Sequence, residues 1–353
     1  MLVSQLSPWK NMKRVILNKY TGVKIRDFLS TDPETQSWGA TEWINSDYDV
    51  FVEIPKYYYR TDISSGQRTT YISTNVFPGF ILHPAFERPD GIRDYAYAAA
   101  FEGYIDSSGL LRSIPYVQPT TNKTIAEFRA AAKAGGRAEG FRLQNMYLRQ
   151  AVALLFFTEF GNLNSQAVLS QGITNLNSGT ANHSQNTGKT LSLNNDSGQI
   201  IQATLENGAT FQTGETATYP FSYRGIENLW GNISEFVDGC MKTSDGLYFD
   251  IENDETTPSN MKEFYSMADV TNYVYGYADK VDERVLWGMI PKYSFNGSSS
   301  SYLSDYLWIH TGTRAALVGA SWYVGLSAGL SALVLSNVPS ASYRSIGARL
   351  AKF

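Results

Sequence analysis

The chain holds one cysteine, Cys240, in 353 residues and only three histidines, His83, His183 and His310. A lone thiol excludes an internal disulfide and any cysteine-rich zinc site, and three histidines leave little for imidazole ligation, so no metal and no cofactor is expected. Charge is also scarce. Asp, Glu, Lys and Arg make up 18% of the residues, with 29 basic against 33 acidic side chains and a formal net charge of -4. No basic block is long enough to follow a phosphate backbone, which argues against nucleic acid as a partner. Hydrophobic residues reach 43%, enough core for one large or two small domains and too much for a disordered chain. Without cross-links, stability has to come from packing.

The N-terminus, Met1 to Lys10, lacks a basic stretch followed by an apolar run, so the expectation is synthesis in a cytoplasm without a signal peptide. Ala315 to Tyr343 carries no charge and contains Gly325-Leu326-Ser327-Ala328-Gly329, which has the GxxxG spacing of membrane helix pairs. Ser321, Ser327, Ser331, Ser336, Asn337 and Pro339 make the run too polar for a spanning helix, and no membrane insertion is expected. The same pentapeptide matches the G-x-S-x-G nucleophile elbow, which requires an acid and then a histidine downstream. No Asp, Glu or His follows Ser327, so no esterase and no catalytic residue is assigned. Cys240 reads as a small buried thiol. The acidic run from Asp250 to Glu255 spaces oxygens as calcium loops do. It lacks the glycine at the sixth position and the acid at the twelfth, so it reads as a solvated loop. His83, just before Pro84, reads as a satisfied structural residue.

Aromatic side chains are abundant, with 23 Tyr, 18 Phe and 7 Trp beside 29 Gly. Such a composition suits both a β-rich core with cross-strand aromatic pairs and a Tyr-rich contact surface. Val50 to Arg60 reads as one β-branched and aromatic strand with Pro55 at an edge or bulge, and Tyr95 to Tyr104 as a second strand. Two helices follow. Thr124 caps Ile125 to Ala134, which Gly135-Gly136 stops, and Gln144 to Phe160 ends at Gly161 and reads as the central helix. The stretch 162–218 is rich in Asn, Gly, Ser, Thr and Gln, as in long loops or a polar hairpin on the binding face or between subunits. No acidic residue occurs from Tyr306 to Phe353. Strands, then helices, then a loop-rich strand region predict an α+β domain with two helices, mixed or antiparallel sheets and long loops.

Two stretches are more specific. Tyr223 to Gly239, with Gly225-Ile226-Glu227-Asn228, Trp230-Gly231-Asn232 and Asp238-Gly239, resembles the C-type lectin fold in its formylglycine-generating-enzyme-like branch. Gly319-Ala320-Ser321-Trp322 through Gly325, Ala328-Gly329, Asn337, Pro339-Ser340 and Ile346-Gly347-Ala348-Arg349 resembles the variable region of proteins diversified by retroelements. With the Val52–Tyr57 strand and the Glu159-Phe160-Gly161-Asn162 helix end, the likeness covers most of the chain from Lys13 onward. The combination is similar to phage tail receptor-binding proteins.

The resemblance carries expectations. Residues 1–45 would be a short N-terminal segment for attachment or first strands. Residues 46–353 would be the ligand-binding domain, with its polar insert at about 162–218 and its variable region at about 319–349. In the family, adenines of template Asn codons are randomised, which never yields Trp, Met, Lys, Glu or Gln. None of these five occurs from Tyr323 to Arg349. The resemblance implies variable ligand-binding positions at Tyr323, Val324, Ser327, Val334, Ser336, Ala341, Tyr343, Arg344 and Ser345, with Leu326 and Ser331 added. The alternative is that Val324, Leu326 and Val334 are simply core strand residues. Trp230, Gly231, Asn232, Trp322, Gly347 and Arg349 would be scaffold, and Tyr323, Tyr343 and Arg344 the anchors.

The implied function is non-enzymatic binding of a host cell-surface protein or glycan, at a tail-fibre tip in the virion or as an adhesin at a bacterial surface. Other phage tail proteins and a homotrimer, as in some relatives, complete the implied partners. The alternatives are a fixed structural tail or virion subunit and, third, a host-envelope hydrolase. The calcium-site triplets of sugar-binding lectins (Glu-Pro-Asn or Gln-Pro-Asp, and Trp-Asn-Asp) are missing here, as are C-terminal cysteines. Neither calcium-dependent sugar binding nor the oxidase activity is therefore expected.

Overall fold

The computed structural model describes residues 5–250, 261, 263–266 and 272–353. The first part of the chain forms β1 (Lys13–Asn18), β2 (Lys24–Asp27), β3 (Tyr48–Pro55), β4 (Tyr95–Ala99) and β5 (Phe141–Leu143). The second forms β6 (Ser234–Lys242), β7 (Gly246–Phe249), β8 (Glu263–Ser266), β9 (Val274–Tyr277) and β10 (Tyr306–Ile309). β11 (Arg314–Val318), β12 (Leu333–Asn337), β13 (Ile346–Ala348) and β14 (Leu350–Lys352) close the chain. Helices α1 (Ala40–Asn45), α2 (Ile125–Lys133), α3 (Met146–Phe160) and α4 (Ser165–Val168) are few beside these strands, so the protein is mixed α+β and mostly sheet.

Two large sheets organise the molecule. The six-stranded sheet has the order β5-β14-β4-β3-β1-β2, so strands from both ends of the chain share it. The eight-stranded sheet runs β8-β7-β6-β11-β12-β10-β9, with β13 beside β6. The β10–β12 and β6–β13 pairs are parallel and the rest antiparallel.

Strand alternation divides the apolar residues between two cores. Ile16, Val50, Val52 and Ile54 join Ala316, Val318, Leu307 and Leu333 around α3. Their neighbours Val15, Leu17, Phe51, Ala315 and Leu317 face the other way, against Ile125 and Phe128 of α2. Because α3 is apolar all round, it is buried from Met146 to Phe157. Its single buried guanidinium, Arg149, donates to the carbonyls of Leu229 at 2.6 Å and Leu330 at 3.1 Å, tying the helix to both C-terminal segments. Burial lowers the Arg149 pKa to about 10.

Local signals set both long helices. Thr124 and Glu127 form a capping box at α2, and Gly161 ends α3 in the left-handed region at φ 65°. α3 starts at Met146 rather than Gln144, because Asn145 takes the cap and accepts from Leu148 N–H at 2.8 Å. The expected single strand over 50–60 is two: β3 ends at Pro55, and a separate strand, Tyr58–Ser64, pairs with Gln67–Ser73. Pro55 thus lies at the end of an interior strand and not at a sheet edge, where its missing N–H removes no ladder bond from the middle. The expected strand over 95–104 stops at Ala99. His83 is satisfied at both ring nitrogens, by Trp287 O at 2.7 Å and Ala85 N–H at 3.2 Å, and burial lowers its pKa to about 3.

Candidate binding face

The scaffold residues lie beneath the C-terminal surface. Gly231 sits at φ 79° against the Ile173 carbonyl, a conformation and an approach that glycine permits without strain. Asn232 accepts from Gln185 N–H at 2.7 Å and donates to Gln185 O at 3.1 Å and to the Glu102 carboxylate. Burial, then the neighbouring Glu235, pushes Glu102 well above the ordinary carboxyl range. Trp230 is buried and donates to Ser170 O at 3.0 Å. Trp322 is buried among Ile173, Leu176 and Ile233 and donates through its indole N–H to Asn177 O at 3.2 Å.

Arg349 is fully buried and forms a two-point pair with Glu235, at 2.9 Å from Nε and 2.6 Å from Nη2. It also donates to the carbonyls of Ala99 and Glu227. Burial works against its charge, but the carboxylate prevails and the pKa is raised. A Cβ on Gly347 would come within 2.5 Å of Ile233 Cδ1 and 2.9 Å of the Thr120 carbonyl oxygen, and the second, a backbone atom, has no rotamer by which to give way.

Above this layer the eleven predicted variable positions separate. Tyr323, Leu326 at 49% and Tyr343 at 54% are exposed, and Val324, Ser327, Val334, Ser336 and Arg344 are half-buried. Ser331 at 3%, Ala341 at 6% and Ser345 at 8% are buried, which corrects the expectation of surface side chains there. Ser331 is held inward because its N–H donates to the buried Asp305 at 2.6 Å. Leu326 is not a core strand residue: it rides on the 3-10 turn Gly325–Ser327. Val334 lies in β12 and, half-buried, packs on the α2-side core.

Tyr323, Val324, Val334, Ser336 and Ser345 come together around an open cavity of about 220 Å³ with Trp308 on its wall. Leu317 and Ile346 also line it, on the face of the eight-stranded sheet that α2 covers elsewhere. Past Trp308 that face carries a row of rings. Tyr275 pairs across from Trp308 and Tyr277 from Tyr306. The Tyr306–Trp308 centroids are 4.6 Å apart, Tyr277–Tyr306 4.8 Å, Tyr275–Tyr306 6.1 Å and Tyr273–His310 5.7 Å. Tyr273 and Tyr275 are exposed. Sequence reasoning missed this row, although the alternation of Tyr273, Tyr275, Tyr277 and of Tyr306, Trp308, His310 signals one strand face.

Antiparallel bridges such as Leu176 to Phe211 and Ala203 to Thr218 close the polar stretch 162–218 on itself, and further bonds tie it to the segment 322–325. Gly325 N–H donates to Thr174 O at 2.8 Å, Leu176 N–H to Trp322 O at 2.8 Å, and Gln212 Nε2 to Tyr323 O at 3.0 Å.

Ser327 Oγ has Tyr277 OH at 3.5 Å, and burial pushes the Cys240 thiol up. Among the described residues no group of three or more His, Cys, Asp or Glu is placed to hold a metal ion. Beyond Asp250 the acidic run to Glu255 lies outside the described residues. No helix among the described residues is long and apolar enough to cross a membrane, and Ala315 to Tyr343 instead supplies most of β11, the 3-10 turn and β12.

No family model matches the sequence, and no curated protein matches it. Among solved structures the chain is similar to the Major Tropism Determinant P3c variant, at 12% identity and a TM-score of 0.29, over 87% of this chain and 64% of that one. It is similar to the U1 variant at 13% identity and a TM-score of 0.27, over 84% of this chain and 72% of that one. The chain thus spans just under two thirds of the P3c variant's length. Both scores are below those of a shared topology, so the functional reading rests on the chain's own geometry.

Proposed function

We propose that this chain is a non-enzymatic receptor-binding protein, a phage tail-fibre tip or related adhesin, in which a lectin-type framework presents a retroelement-diversified surface between Tyr323 and Ser345. The observation that carries the reading is a partition within one short segment. Trp322, Gly347 and Arg349 are buried in fixed packing, while Tyr323, Leu326 and Tyr343, which lie between Trp322 and Gly347 in sequence, face solvent. A rigid base under exchangeable side chains lets one fold serve many ligands. Tyrosines on the rim supply large, stiff contact area, and several copies on a tail would turn weak single contacts into avidity. The ligand is a host cell-surface protein or glycan.

The test replaces Tyr323, Leu326 and Tyr343 by Ser and measures adsorption to a panel of host cells beside thermal unfolding. Adsorption is expected to be lost or redirected with the unfolding midpoint kept. Unchanged adsorption with normal tail assembly would leave a fixed structural subunit as the better reading. Turnover of cell-wall glycans or esters would replace both with a hydrolase. Sequencing the 3′ end of the gene from the Val318 codon in a growing population tests the diversification separately, through substitutions concentrated at the named codons.

A further inference from the structure

A second cavity, of about 730 Å³, opens away from the predicted variable positions, where the end of α2 meets β5, β14 and the Glu87–Ile92 turn. Six cationic side chains line it, Arg88, Arg93, Lys133, Arg137, Arg142 and Lys352, against two carboxylates, Asp90 and Glu139. One of those carboxylates is engaged, since Asp90 pairs with Arg93 at 2.5 Å. Arg137 is fixed as a wall by Asp49 at 2.9 Å and by the carbonyls of Lys19 and Leu111, both at 2.7 Å. Arg88 stacks on the Phe353 ring at 4.5 Å. Asp238 offsets part of the charge of Lys133 and Arg142, and Asp49 that of Arg137, but six cations still crowd the basin, and such a concentration of one sign is costly. The cost is visible in the lysines. Burial, then Arg142, holds Lys133 below the ordinary lysine range, and burial, then Arg93 and Arg142, does the same to Lys352.

We propose that this basin binds a compact polyanion carrying two or more phosphate groups, free or as the headgroup of a lipid. Guanidinium forks grip phosphate oxygens at two points, and ammonium groups add unoriented charge, so Arg88, Arg93 and Arg142 with the two lysines fit several phosphates held close together, over the wall formed by the fully engaged Arg137. The volume lies in the range of small-molecule sites and is too confined for a duplex lying across it. This proposal is independent of the receptor-binding reading, because none of the predicted variable positions lines the basin.

The test is calorimetric titration of the full chain with tripolyphosphate, inorganic phosphate, a neutral disaccharide and a short DNA duplex, at low and moderate salt. Tripolyphosphate is expected to bind at least tenfold more tightly than inorganic phosphate, with an affinity that falls as salt rises, and the disaccharide not at all. Lys133→Gln with Lys352→Gln is expected to weaken tripolyphosphate roughly tenfold or more. Lys133→Gln alone, on the exposed end of α2, gives a smaller loss in the same direction with unfolding unchanged. Vesicles with and without a phosphoinositide distinguish the two sources: binding that tripolyphosphate displaces assigns the headgroup, and no vesicle binding assigns a soluble ligand. Absence of tripolyphosphate binding at low salt, equal affinity in both variants, or duplex binding that tripolyphosphate does not displace would overturn the proposal.

Discussion

Trp322 and Tyr323 are adjacent in the chain and occupy opposite worlds. The first is buried and bonded through its indole, backbone N–H and backbone carbonyl; the second stands at the rim of a cavity with about a third of its surface in water. The same contrast repeats between Arg349, whose charge is enclosed with Glu235, and Arg344, which is half exposed. Proximity in sequence therefore says little about tolerance to change. Strand alternation and the 3-10 turn sort each residue into a layer that cannot be altered cheaply or one that can.

The contrast breaks most severely at Arg349. Arg349→Met leaves Glu235 as a buried charge without its partner, and a loss of about 3–5 kcal/mol is expected in urea unfolding. Asp305 comes next, as a pH effect. Burial raises its pKa from 3.8 to about 7. The folded state then holds a proton that the unfolded state has released, so the stabilising contribution is full below pH 3.8 and is lost as the pH rises through 7. Asp305→Asn is expected to remove a decline on the order of 3 kcal/mol between pH 5 and pH 8, read from urea midpoints at those two values.

Gly231→Ala combines a positive φ with a Cβ placed 2.6 Å from the Ile173 carbonyl. A loss of about 2 kcal/mol is expected by thermal unfolding. Because the 173–176 segment supports Trp322 and Gly325, weaker adsorption should accompany it. The smallest effect sharpens the comparison. Leu326→Asn or Tyr343→Ser should move stability by no more than about 0.5 kcal/mol, and a larger shift would place those side chains in the framework.

Much of the fold was legible where signals are local. Thr124 with Glu127, Asn145 and Gly161 mark helix ends within a few residues, so α2 and α3 are found with small boundary errors. Val50 to Arg60 was misread because continuous β-branched and aromatic character does not show where a chain turns; Pro55 marks the end of the strand and not an edge. Tyr323 and Tyr343 were expected at the surface and lie there, Leu326 was read both as a variable position and as a core strand residue, and Ser331, Ala341 and Ser345 were not legible as buried. Small side chains suit either environment, and Ser331 is drawn in by Asp305, 26 residues away.

The sequence by itself determined the α+β composition, the two main helices and the alternation that divides the apolar residues between two cores. These follow from periodicity and capping, which act over a few residues. Tertiary structure alone decided three other things. It tied the polar stretch 162–218 to the 3-10 turn Gly325–Ser327 through bonds such as Gly325 N–H to Thr174 O. It aligned two distant strands into one row of rings, and it gathered Arg88, Lys133, Arg142 and Lys352 around one cavity in a chain with no basic block. Each depends on residues far apart in the chain being held within a few ångströms, a distance that only packing sets.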